Sequence, residues 1–206
     1  MMHWTIAVSF IVLALTGLNI LYGRYVLLPV VGPAIFGAVT DFGKHIHNYV
    51  AFAFMVGLVG ILVMWIGRNL PTMVDLKWIL KAGGLFRRGD HASSYKFNAG
   101  QKLLYWAVLI LGISVSVSGL ALMFPFQFSL FGPTFGFLNN FGFDLPAQMS
   151  SVQEMQFAQV WHAIVGMVMI AIIIGHIYIG TIGMQGAFDA MGSGQVDLNW
   201  AREHHD

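Results

Sequence analysis

Apolar positions in this chain come in long unbroken runs rather than in the alternations or stripes of a soluble fold. Trp4 to Tyr22 is nineteen residues without a charge, and Lys44 and Arg68 bracket twenty-three more. Lys102 and Asp144 bracket a third run of forty-one, and Glu154 and Asp189 a fourth of thirty-four. A helix needs about 20 apolar residues to cross a bilayer. The pattern therefore predicts four spanning helices near 4–23, 46–67, 102–124 and 157–182. The third run outlasts its span. Phe124 to Phe143 holds eight Phe among Pro125, Gly132, Pro133, Gly136 and Gly142, punctuation that breaks a helix. Residues 25–40, with Pro29, Gly32, Pro33 and Gly37, are expected to behave likewise. Both loops fall on one side of a four-span chain and are too apolar to float in water. They are expected either to fold over the helix ends or to dock a partner subunit.

Composition agrees. The 206 residues are 57% hydrophobic and 9% charged, with a mean hydropathy of +0.73. Soluble domains carry about 25% charged residues. A water-soluble enzyme, a nucleic-acid binder and a disordered scaffold are excluded. The expectation is one all-α integral membrane domain over 1–206, a four-helix transmembrane bundle. The scarce charges orient it. Arg68, Lys77, Lys81, Arg87, Arg88, Lys96 and Lys102 put seven of ten basic residues in one segment, against Arg24 and Lys44 opposite. The positive-inside rule places 68–102 and both termini in the cytoplasm, with the apolar loops outside. The first span lacks a small-residue cleavage site and is read as an anchor. His3 precedes it almost immediately, so either the helix begins at the very terminus or the true N-terminus is longer.

Cysteine is absent, which removes disulfides, thiolate metal sites and cysteine nucleophiles. Histidine is the informative residue, because ionisable groups inside spans are costly and mark function. His162 and His176 both lie in the fourth span. Fourteen residues amount to about 40° short of four turns and about 21 Å of rise, so the two rings share a face. Each needs a mate at its own depth. His47 begins the second span on the outer side, level with His162. His3 begins the first on the inner side, level with His176. Two imidazoles per depth is the number that fills both axial positions of a haem, whereas zinc or copper would want three or four ligands. Gly166 and Gly180, four residues after His162 and His176, are expected to make room for a porphyrin. His45 competes with His47: two residues apart, only one can face the bundle, and spacing does not choose. His91, His204 and His205 read as solvated.

Several segments together carry a resemblance: His3-Trp4, the His47 start of the second span, Phe97-Asn98-Ala99-Gly100-Gln101-Lys102, the His162/His176 pair and Trp200-Ala201-Arg202-Glu203-His204-His205. In order and spacing, over the whole chain, they resemble the gamma subunit of membrane-bound formate dehydrogenase, the di-haem cytochrome b subunit. Hydrogenases and related respiratory oxidoreductases use similar subunits. The resemblance implies two haem b groups, the outer on His47 and His162 and the inner on His3 and His176, and it prefers His47 to His45. It implies that Asn98, Gly100 and Gln101 line a pocket for quinone (menaquinone or ubiquinone) near the inner haem. On their own these residues also read as a capped helix start. The family's chains carry a basic stretch before the first ligand, which is missing here.

The implied role is to carry electrons from a periplasmic iron–sulfur subunit across the bacterial inner membrane to quinone. Formate chemistry would belong to a molybdenum- or tungsten-containing catalytic subunit. Two readings of another class are a non-haem membrane anchor and a small transporter with a histidine proton relay. A transporter usually shows internal repeats, and none is evident.

Overall fold

The computed structural model describes residues 2–81, 97–183 and 186–198. Arg87, Arg88, His91, Lys96, Trp200, His204 and His205 lie outside the described residues. The described chain is helical: α1 (Met2–Val26), α2 (Leu28–Trp65), α3 (Met73–Leu80), α4 (Ala99–Met123), α5 (Phe131–Asn139), α6 (Ser151–Tyr178) and α7 (Ala187–Gly192). A 3-10 turn, Ile66–Arg68, follows α2, and a π turn, Ile179–Gly183, follows α6. Four of the helical stretches are long and apolar enough to cross a membrane: Met2–Val26, Leu28–Arg68, Ala99–Met123 and Ser151–Gly183. Each contains one of the spans predicted from the sequence except the third, which stops one residue short of 124.

Two expectations about loops need correcting. Residues 28–40, expected to be irregular, belong to α2. The helix is broken only at Gly32, whose φ of 76° is the left-handed region that glycine alone enters cheaply. Pro33 follows the break at once. There it opens a new helical stretch, where the amide it lacks would have had no partner. From Pro33 to Trp65 the uninterrupted part of α2 rises about 50 Å, well beyond the hydrocarbon thickness. Its polar early part, with Asp41, Lys44 and His45, thus has helical length to spare outside the span. The 124–143 segment likewise contains a helix, α5. Pro133 sits in its first turn, again where a missing amide costs nothing.

Contacts divide the chain into two units, Met1–Ile61 with Leu111–Val168, and Leu62–Ile110 with Met169–Asp206. In the first unit, glycines let the helices approach. A Cβ on Gly57 would stand 3.1 Å from Ile6 Cβ, and one on Gly112 would meet Leu58 Cδ2 at 2.8 Å. Such small residues replace the hydrophobic drive that lipid cannot supply. Asn19 donates to the Thr40 hydroxyl at 3.1 Å and ties α1 to the early part of α2.

Glu154 organises the loop side of this unit. It is only 7% exposed and has no basic partner among the described residues. Its carboxylate accepts from the amides of Leu130 (3.2 Å), Phe131 (2.8 Å) and Gly132 (2.6 Å) and from the Ser129 hydroxyl (2.8 Å). Those amides are the unsatisfied donors at the start of α5, and the helix dipole adds to their pull on an anion. With Glu154 in place, Phe131 stacks on Phe157 at 5.9 Å and meets the Trp161 edge at 6.5 Å, over Ala121 and Ala158. The segment thus folds over the ends of α4 and α6. Phe126, Phe137, Phe141 and Phe143 remain exposed.

Glu154→Gln turns one acceptor into an NH2 group facing two donors, because each carboxylate oxygen accepts from two. Amide exchange at residues 130–132 is expected to quicken about tenfold or more, in line with losing a charge-assisted hydrogen bond. Exchange measured by mass spectrometry in detergent checks this; unchanged protection would show that α5 does not depend on the carboxylate.

Candidate functional site

His47 lies in α2 and His162 in α6, both in the first unit. Their rings face each other with centroids 6.2 Å apart and planes at 64°. Spacing left His45 and His47 open and the resemblance preferred His47; the structure separates them. His45 turns outward, its side chain 63% exposed and its Nδ1 2.8 Å from the Asp41 carbonyl on its own helix.

Each facing ring is held from behind by a hydroxyl on another helix. His47 Nδ1 is 2.9 Å from Thr16 Oγ1 on α1, and His162 Nδ1 is 3.1 Å from Ser118 Oγ on α4. Each ring also lies against a glycine: a Cβ on Gly17 would stand 3.3 Å from His47 Cε1, and one on Gly119 3.2 Å from His162 Cε1. With Nδ1 engaged on both rings, Nε2 is the nitrogen each can offer a metal. Metal–imidazole bonds are about 2 Å, and a ring centroid lies about 1.1 Å behind its nitrogen. Two imidazoles on opposite sides of one ion therefore need centroids about 6.3 Å apart. The observed 6.2 Å fits that requirement. Among the described residues, no three of His, Cys, Asp and Glu gather as a zinc site would demand.

The glycines expected to make room are supplemented by others. Gly166 and Gly180 have open space where a Cβ would be, but the close approaches to the rings are made by Gly17 and Gly119. Their signal was present in the sequence as Thr16-Gly17-Leu18 and Ser118-Gly119-Leu120, a hydroxyl followed by a glycine in two different spans. It became readable only once both were seen to face a histidine. The other two sequence-predicted ligands are half-buried: His3 belongs to the first unit and His176 to the second. The π turn Ile179–Gly183 starts three residues after His176.

In the second unit, Asn98, Gly100 and Gln101 come together at the start of α4. Asn98 Oδ1 accepts from the Gln101 amide and Gln101 Oε1 from the Asn98 amide, both at 2.9 Å. This is a reciprocal cap. It engages both side-chain oxygens and leaves the side-chain NH2 groups as the donors available to a ligand. A Cβ on Gly100 would stand 3.3 Å from the Trp78 ring edge, so the glycine admits the indole. The next residue, Lys102, is buried at 5% exposure beside Asp75 at 8%. Its ammonium donates to Asp75 Oδ2 at 2.7 Å and to the Leu70 carbonyl at 3.2 Å. The carboxylate also accepts from the Thr72 amide (2.6 Å) and hydroxyl (2.7 Å). Trp106 Nε1 donates to the Asn69 carbonyl nearby at 2.9 Å. Lys102 was legible as the charge opening the third apolar run and as one of the orienting basic residues; that it pairs with Asp75 was not.

A family model described as prokaryotic cytochrome b561 matches residues 1–194. The chain belongs to the prokaryotic cytochrome b561 family. Membership implies haem b, and with four apolar helices it fits a multi-pass protein of the bacterial inner membrane. This cytochrome is also similar to the nitrate-inducible formate dehydrogenase cytochrome b556(Fdn) subunit of Escherichia coli (strain K12). The two are 25% identical over 205 residues, 98% of this chain and 83% of that protein. It is 24% identical to the formate dehydrogenase cytochrome b556(fdo) subunit of the same strain, over 98% of this chain and 84% of the relative. The formate dehydrogenase cytochrome b556 subunit of Haemophilus influenzae (strain ATCC 51907 / DSM 11121 / KW20 / Rd) is 21% identical, over 98% and 76%.

Asp75 gives the second unit a defined acid response. Burial pushes its carboxyl up, but hydrogen bonds from Lys102 and Thr72 outweigh it and hold the group below its ordinary 3.8. A depressed value means that its contribution to stability is complete at neutral pH and is lost only as pH falls below 3.8. Asp75→Ala, which strands the lysine, is expected to destabilise the protein by about 3 kcal/mol. Asp75→Leu with Lys102→Met should cost far less. Melting temperatures in detergent across pH check both; equal melting of Asp75→Ala and the double variant would show that the pair is not buried in solution.

Proposed function

We propose that this cytochrome b561 is the di-haem membrane subunit of a formate dehydrogenase complex, passing electrons from an iron–sulfur partner outside to quinone inside. The observation that carries the reading is the His47–His162 pair, with facing rings at 6.2 Å and both Nδ1 atoms held from behind. These two histidines would hold the outer haem. His3 and His176 would hold an inner one, on the depth argument from the sequence. When bound, haem b held by two histidines would supply one-electron transfer. Near-full-length similarity to three formate dehydrogenase cytochrome subunits supports membership of such a complex; its iron–sulfur and molybdenum or tungsten subunits would be the partners.

The chain's own residues define the rest of the role. Apolar helices keep water from the imidazoles, and the hydroxyls of Thr16 and Ser118 keep Nε2 aimed inward. At the start of α4, the NH2 groups of Asn98 and Gln101 would donate to quinone oxygens while their carbonyl oxygens cap the helix. On the charge-based orientation this end faces the cytoplasm, from which protons would be drawn. The exposed phenylalanines of the outer segment offer apolar surface to a partner subunit.

Pyridine haemochrome assay of the purified complex should give two haems b per copy of this chain. His47→Ala and His162→Ala should each lose the outer haem and keep the inner one; loss of the inner haem alone overturns the pairing.

Gln101→Glu keeps the oxygen that caps α4 and removes the amide donor. Formate-driven quinone reduction should fall about tenfold, the value of one hydrogen bond to a ligand, while both haems remain reducible by formate. Unchanged quinone kinetics would exclude Gln101 from the pocket.

A further inference from the structure

Thr16 and Ser118 stand in the same relation to two different histidines. Thr16 precedes Gly17 on α1 and meets His47 Nδ1; Ser118 precedes Gly119 on α4 and meets His162 Nδ1. Each hydroxyl has one proton, and its own helix has acceptors for it. Thr16 Oγ1 donates to the Val12 carbonyl at 2.7 Å. Ser118 Oγ lies 3.1 Å from the carbonyls of both Ser114 and Val115. Ser118 is fully buried, so no water competes for that proton. With its proton sent to a backbone carbonyl, the oxygen turns its lone pairs to the ring and can only accept.

We propose that Thr16 and Ser118 are positioning residues that set the tautomer and donor strength of His47 and His162. The proton sits on Nδ1, within reach of the backbone carbonyl of Leu13 for His47 and of Val115 for His162, and the hydroxyl oxygen is the second acceptor, from which the chain runs on to the backbone. Hydrogen bonds in series polarise one another in a low dielectric. A ring that gives up part of its Nδ1 proton is a stronger donor at Nε2, and groups behind a ligating histidine act in this way on metal affinity. A stronger donor favours ferric over ferrous iron. The two hydroxyls therefore hold the outer haem's potential down. Gly17 and Gly119 complete the arrangement: with no Cβ, they let each ring lie against the helix that carries its hydroxyl, which fixes the ring plane as well as the tautomer.

The proposal rests on ligation of the outer haem by His47 and His162. In the complex purified from membranes, Thr16→Val and Ser118→Ala should keep the full haem complement. Each should raise the outer haem's midpoint potential in a redox titration, and the double variant should raise it further. Low-spin electron paramagnetic resonance g-values should move with the potential. Haem should transfer to added apomyoglobin about tenfold faster or more. Thr16→Ser, which restores the hydroxyl in a smaller side chain, should return all readouts towards wild type. An unchanged potential in a double variant that retains haem overturns the proposal. So does haem loss from Thr16→Val that Thr16→Ser does not reverse, since that assigns Thr16 to packing. Retention of the outer haem by His47→Ala would instead overturn the ligation, a separable result.

Discussion

The hydrocarbon layer offers no water, so each polar atom placed there must be answered by another atom of the chain. Helices answer the backbone. Hydroxyls answer themselves by bonding back to their own helix, as Ser9 does to Thr5, Ser116 to Gly112 and Thr181 to Ile177. Glu154 gathers three amides and a hydroxyl, and Lys102 takes Asp75. Thr16 and Ser118 satisfy their own protons in the same way and still have an oxygen to turn towards a histidine. Across the facing pair, this constraint engages Nδ1 on each ring and leaves Nε2 as the nitrogen still to be answered.

The same constraint explains how the apolar outer segment holds its shape. A helix start buried among aromatic rings has amides that solvent cannot reach, and a carboxylate from another helix supplies what solvent would have. Glu154 belongs to the helix that carries His162, so the anchor of α5 and one member of the facing pair share a rigid element. Phe131, Phe157 and Trp161 then pack over that stretch. Coverage of the loop-side helix ends and placement of the histidine are parts of one arrangement.

Much of this was legible in residue order. Four charge-free runs marked the spans because a bilayer tolerates little else over that length. Proline and glycine were weaker guides. Pro33 and Pro133 looked like breaks, yet each begins a helical stretch, because proline interrupts only where an amide was needed. Gly32 was the true break, and its positive φ cannot be told from sequence. Among the histidines, depth brought His47 and His162 together; the resemblance preferred His47 to His45, and orientation gave the physical reason. His45 bonds outward to its own helix, while His47 faces Thr16 and His162. Gly166 and Gly180 were singled out by periodicity on the histidines' own helix. Gly17 and Gly119, which touch the rings, lie on other helices, where periodicity within one helix has no reach.

Residue order by itself determined that the chain lives in a membrane, how many times it can cross, and that His47 and His162 come to one depth. These follow from the free energy of transferring residues into hydrocarbon, which depends on composition along the chain. Tertiary structure decided which ring nitrogens are held, which carboxylate caps which helix, and that the lysine opening the third apolar run is paired. These are contacts between residues tens of positions apart, such as Thr16 with His47, Ser118 with His162, and Asp75 with Lys102. They depend on the azimuth of each helix about its own axis, which the packing of side chains against neighbouring helices settles.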